Sequence, residues 1–252
     1  MCTRYISPEV REIEALWHVG PRNQGNWVRD LHPLRPGPFI RRAGDGTNDL
    51  VVGQWGMIPP GNATSIPMSR PRGPGDKPKR ISTVNARSES VTSRPTYSEA
   101  WKRGQRCIIP ASSFDEPNCE TGRNVWWRFG RADGQPWGVA GLWSTWTDPV
   151  TGEIVPNYTM LTINADAHPL MKRMHKPVCD PKTKLPLPIE QQDKRSLVLL
   201  EPGGFEQWLA GTMEEAKELM QLTPVEEFAA APLAMPPDLF AIDEHTKTSE
   251  RS

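Results

Sequence analysis

Proline and glycine break this chain too often for it to fold around long helices. The 252 residues include 27 Pro and 20 Gly. Each proline removes a backbone donor, and each glycine eases a turn. Only short segments survive between the breaks. Those with strand character are 50–57, 106–109, 124–129, 137–143, 158–163 and 196–200. Val125, Trp127 and Phe129 recur at every second position, the period of a half-buried strand. Turn signals such as Asp133-Gly134 and Thr151-Gly152 separate the segments. Helices are expected at 98–105 and 169–175, with one or two over 205–221. Stretches 69–79 and 179–192, rich in Pro and charge, read as mobile surface insertions. The pattern is that of an α+β fold, a single strand-rich domain with a few short peripheral helices.

Several functional classes drop out early. No apolar run approaches the roughly 20 residues that a membrane span needs. The first residues lack the charged-then-apolar pattern of a secretory leader. A soluble, cytoplasmic protein without a membrane partner is expected. Neither GxGxxG nor a phosphate-binding P-loop pattern occurs. The cysteines (Cys2, Cys107, Cys119, Cys179) and the five histidines are scattered, without zinc spacing. No metal and no cofactor are expected. The formal charge of zero hides a split: residues 201–252 hold 11 Asp/Glu against 3 Lys/Arg, a balance of −8, so residues 1–200 carry +8. A basic body of this kind suits phosphates, and an ordinary solvated surface fits equally well.

One residue raises a chemical question. Cys2 stands directly behind the initiator methionine. Removal of Met1 would leave a 1,2-aminothiol, which no internal cysteine can offer. Further along lie WGMIPPG (55–61), Asn85-Ala86-Arg87, RCIIPASSFDEP (106–117) with Glu116, and HPLMKRMHKP (168–177) with His175. In this order and spacing, over about residues 2–210, the motifs resemble the SOS-response-associated peptidase family of abasic-site-processing proteins. The resemblance implies a mixed, barrel-like β core. It also implies a partner, single-stranded DNA containing abasic sites, and a covalent reaction with the ring-opened sugar aldehyde.

The residues can account for that reaction. An α-amine has a reference pKa of about 7.7–8.0, so a useful fraction is neutral near neutral pH, unlike a lysine at about 10.4. The amine attacks the aldehyde carbon to give an imine, and the adjacent thiol closes a five-membered thiazolidine intramolecularly. By the resemblance, Cys2, Asn85, Glu116 and His175 are catalytic: Glu116 shuttles protons, His175 assists at the sugar, and Asn85 hydrogen-bonds the N-terminal residue or the sugar-phosphate next to it. Arg4, Arg87 and Lys176 would hold backbone phosphates, and Trp55 would stack on bases, unless it is simply core. Trp126, Trp127, Trp137, Trp143 and Trp146 are expected in the core. Asp115 beside Glu116 is expected to raise that carboxyl's pKa. The domain is expected to span 2–225, as a monomer, with 226–252 as an acidic flexible tail. Lyase and self-cleaving peptidase activities accompany the family reading. Two other readings stay open: an N-terminal-nucleophile cysteine protease or amidohydrolase, and a non-catalytic single-strand-binding module.

Overall fold

The computed structural model describes residues 2–19, 26–71 and 73–233. Thirteen strands are described. They are β1 (Tyr5–Ile6), β2 (Asp30–Leu31), β3 (Pro36–Arg42), β4 (Asn48–Trp55), β5 (Asn85–Arg87), β6 (Arg106–Ala111), β7 (Ser113–Asn118), β8 (Val125–Arg131), β9 (Trp137–Thr147), β10 (Ile154–Asn164), β11 (Arg195–Leu197), β12 (Leu199–Leu200) and β13 (Phe228–Pro232). The α-helices are α1 (Val10–Trp17), α2 (Ser98–Lys102), α3 (Phe205–Ala210) and α4 (Met213–Glu218).

Five strands close on themselves. The order β10-β4-β3-β6-β9 returns to β10 through the β9–β10 pairing, and the β10–β4 pair is parallel, so the barrel is mixed. The expected barrel-like, strand-rich single domain is therefore present. Alternation along the strands supplies two cores. Phe39, Ile109, Val139 and Tyr158 face one cluster with Tyr5 and Trp55, whereas Ile40, Ile108 and Ala140 face the other with α1, α2 and α3. Where β9 crosses β6 and β10 only glycine fits: a Cβ on Gly141 would lie 2.2 Å from Ile109 Cδ1 and 2.5 Å from Thr159 O. A second sheet, β13-β8-β7-β1-β2, carries the N-terminal residues.

The differences from expectation have local causes. Strand β3 hides behind Pro36 and Pro38, which lie where it pairs β4 alone; pairing with β6 begins at Ile40. The one or two helices expected over 205–221 are two, α3 and α4, divided at Gly211-Thr212, where Thr212 Oγ1 accepts from Glu215 N and caps α4. Segment 169–175 holds only a 3-10 turn, Met171–Arg173. The domain boundary expected at residue 225 is passed, because β13 pairs with β8 and Phe228 packs on Phe129 and Trp137. The remainder of the expected tail, 234–252, lies outside the described residues. Among the described residues no helix is long and apolar enough to cross a membrane.

Candidate active site

The N-terminal residues reach the site through sheet register. Antiparallel pairing sets Tyr5 opposite Phe114, and Asp115 N donates to Arg4 O at 3.0 Å. Alternation then parts the two adjacent carboxylates of β7. Asp115 points to the face occupied by Arg4 and Arg128. Arg128 grips it with two bonds of 2.9 and 3.0 Å, and Arg4 Nη1 lies 3.2 Å away. Glu116 turns to the other face and is 1% exposed. Its Oε2 meets His175 Nε2 at 2.7 Å. The rise expected for Glu116 beside Asp115 does not occur. Burial alone would raise Glu116, but the positive charges of the chain terminus and of His175 overrule it and hold the carboxyl below its ordinary value.

Cys2 is fully buried. Its thiol donates to Arg4 O at 3.3 Å, and its carbonyl accepts from Asn85 Nδ2 at 2.7 Å. Burial, seconded by the negative charge of Glu116, pushes the thiol well above its ordinary pKa. Asn85 stands on β5, opposite Met160 of β10, and its buried Oδ1 meets no donor among the described residues. The structure thus brings together Cys2, Asn85, Glu116 and His175 from the N-terminus, β5, β7 and the loop after Met171–Arg173. This burial of Cys2 is that of the chain with its initiator methionine still in the sequence.

Of the four residues expected to contact DNA, three retain exposed surface. Arg4 is partly exposed and bound through Nε and Nη2 to Asp30 at 2.9 and 2.8 Å. Half-exposed Arg87 pairs with Asp193 at 2.5 Å, and Lys176 is exposed. Trp55 is the correction. It is 0% exposed, its Nε1 donates to Val84 O, and its ring stands edge-on to Tyr5, so it offers no stacking surface. Its neighbours Met57 and Ile58 are buried too. Conversely, not all the other tryptophans are core: Trp137 and Trp146 are buried, Trp126 is exposed, and Trp127 lies partly buried beneath Arg173.

An open groove of about 520 Å³ leads away from Asn85. Pro59, Arg70, Arg87, Arg94 and Tyr97 line it, giving three cations and one aromatic face. Its wall includes the base of the 69–79 insertion, pinned by the Met68–Arg80 bridge and by Ser69 N donating to Lys79 O. Across the site, the triplet Asp193-Lys194-Arg195 escaped sequence reasoning. Asp193 pairs Arg87, Lys194 donates to the backbone at residues 174 and 175, and Arg195 grips Glu89 with bonds of 2.8 Å. Its one signal was three consecutive charges ahead of the apolar run 197–200.

The model of the SOS response associated peptidase (SRAP) family matches residues 1–235. The chain belongs to the SRAP family. A crystal structure of a protein from Bordetella bronchiseptica is 32% identical to this SRAP protein, covers 93% of it and 100% of its own chain, and superposes with a TM-score of 0.75. Two more distant crystal structures share the fold. One, from Bacteroides thetaiotaomicron, is 15% identical with a TM-score of 0.67, over 93% of this chain and 92% of its own. The other, a phage-related protein from Bordetella bronchiseptica, is 19% identical with a TM-score of 0.59, over 93% and 95%. No curated protein sequence matches the chain at a significant level. SRAP membership ties the protein to the SOS response to DNA damage and to DNA.

Proposed function

We propose that this SRAP protein, after loss of Met1, captures abasic sites in single-stranded DNA by forming a thiazolidine on Cys2. The observation that carries the reading is the convergence of Glu116, hydrogen-bonded to His175, with Asn85, hydrogen-bonded to the Cys2 carbonyl. The neutral α-amine of Cys2 attacks C1′ of the ring-opened sugar, and a proton passes to the former carbonyl oxygen. Loss of that oxygen as water leaves the imine. Sγ then adds to the imine carbon while the thiol proton passes to nitrogen, closing the ring with no oxidant or reductant required. Glu116, ionised because its pKa is held low, is suited to take and return these protons. Asn85 Oδ1, an acceptor that meets no donor among the described residues, is suited to orient the amine or a sugar hydroxyl. Arg87, Arg70 and Arg94 line a groove suited to phosphates, with Arg4 and Lys176 on other exposed surface.

A specific observation weighs against the cysteine-protease reading. In the chain with Met1 in place, burial pushes the Cys2 thiol up and favours its protonated form, whereas a cysteine nucleophile works as thiolate. Binding without catalysis is the other competitor. One experiment separates the readings: the protein is mixed with a single strand bearing one abasic site, without borohydride, and run on a denaturing gel. A heat-stable shifted band absent from Cys2→Ala is expected. A band that survives this substitution rules out the aminothiol mechanism, and the absence of any band leaves binding alone. An added N-terminal Gly-Ser should abolish the band, because it removes the free cysteine amine.

A further inference from the structure

We propose that Lys194 is the positioning residue of the Glu116–His175 pair, holding the backbone at Met174 and His175 so that the imidazole meets the carboxylate. Its catalytic consequence rests on the function proposed above; its geometry does not.

His175 adopts φ +63°, in the left-handed region that a side chain with a Cβ rarely enters. Such a conformation persists only where surrounding bonds impose it. One constraint comes from the carboxylate's own strand, because His175 N donates to Pro117 O at 2.6 Å. Lys194 supplies the opposing one. Its Nζ donates to Met174 O at 2.7 Å and to His175 O at 2.8 Å. Lys194 is itself fixed where β11 begins. Its carbonyl accepts from Ala165 N at 2.7 Å, and its N–H donates to Asp166 Oδ1 at 2.6 Å. His175 is thus suspended between β7 on one side and the end of the β10–β11 pair on the other.

The choice of lysine is informative. The residue is 6% exposed, and burial lowers its pKa. Among the described residues no carboxylate forms an ion pair with it; Asp166 and Glu120 act on its charge from longer range. Burying an ammonium without a close counter-ion is costly, so the two carbonyls are what its burial secures. A four-carbon stem with three donors can serve two successive carbonyls, which a shorter hydroxyl side chain cannot.

The test compares wild type, Lys194→Met and Lys194→Gln in three measurements. These are imidazole nitrogen NMR across the histidine titration range, affinity for an undamaged single strand, and the rate of crosslinking to an abasic strand. Glu116→Gln supplies the reference signals of His175 facing a neutral amide instead of the carboxylate. In Lys194→Met the His175 signals should move toward that reference. Crosslinking should fall roughly 10–100-fold, the scale of a displaced catalytic group, with affinity for the undamaged strand unchanged. Lys194→Gln keeps a donor for one carbonyl and should recover part of both signals and rate. His175 signals identical to wild type in Lys194→Met overturn the proposal, whatever the rate does. Should Lys194→Met fail to fold, Lys194→Gln decides by the same criterion. If wild type forms no crosslink, the proposed function fails while the imidazole signals still decide the role of Lys194.

Discussion

At the scale of single residues, the site sets two neighbouring groups to opposite purposes. Cys2 keeps its proton because burial and the Glu116 charge both oppose a thiolate, while Glu116 gives its proton up. Iodoacetamide at neutral pH should therefore label exposed Cys179 and spare Cys2 and Cys107, as read by peptide mass. Preferential labelling of Cys2 would restore the protease reading. On the proposed function, Glu116→Gln removes the proton carrier and should slow crosslinking about 10²–10⁴-fold, the usual contribution of a positioned acid–base group. Arg4 is a different case. Its fork is occupied by Asp30 and Asp115, so a phosphate would have to compete for it. Asp30→Asn should loosen the hold on Nε and Nη2 of Arg4, tighten single-strand binding several-fold and steepen its decline with salt, as titrations at several salt concentrations would show. Looser binding in Asp30→Asn would mean that Asp30 holds Arg4 in its working position.

At the scale of elements, the barrel depends on strands approaching closer than side chains normally allow. Gly141→Ala would drive a methyl into Ile109 and the Thr159 carbonyl. Such overpacking should cost about 1–3 kcal/mol, visible as a lowered Tm. This scale also shows what the sequence could reveal. The strands at 50–57, 106–109, 124–129, 137–143 and 158–163 were legible because apolar and aromatic residues fill them at strand spacing. Others were not. β3 carries prolines, β13 is mostly alanine inside an acidic region, and β1, β2 and β5 are two or three residues long. Their existence comes from partners far along the chain, which no local pattern encodes. Trp55 failed for a related reason: its sequence neighbourhood says strand end, but which way the ring turns depends on Tyr5 and Val84.

At the scale of the whole molecule, the site is assembled from residues between positions 2 and 195, so its integrity and that of the fold are linked. Glu116, Asp30 and Glu89 all have carboxyls held below their ordinary values, chiefly by partners that outweigh burial or reinforce a hydrogen bond. Carboxylates depressed by folding contribute stability above the pKa of the unfolded chain and lose it as pH falls through the folded value. Thermal stability should accordingly fall as pH drops through and below the ordinary carboxyl values of 4.5 for Glu and 3.8 for Asp. The decline should be shallower in Glu89→Gln, measured by calorimetry against pH. The motif residues Cys2, Asn85, Glu116 and His175 were legible from family resemblance. Lys194 and Asp193 were not, because their contribution is a matter of where one side chain ends in space.

Strand β10 has one further property. It pairs in parallel with β4 at Asn157–Tyr158 and then, in the same direction, with β5 from Met160 onward, so two separate pieces of chain run end to end beside a single rail. Everything between them leaves at Gly56 and returns at Val84, whose carbonyl accepts from Met160 N. Asn85 owes its location to that rail and not to the length of the detour. A protein engineer could shorten the 70–79 excursion, or graft a fluorophore-bearing peptide into it, and still find Asn85 at the carbonyl of Cys2.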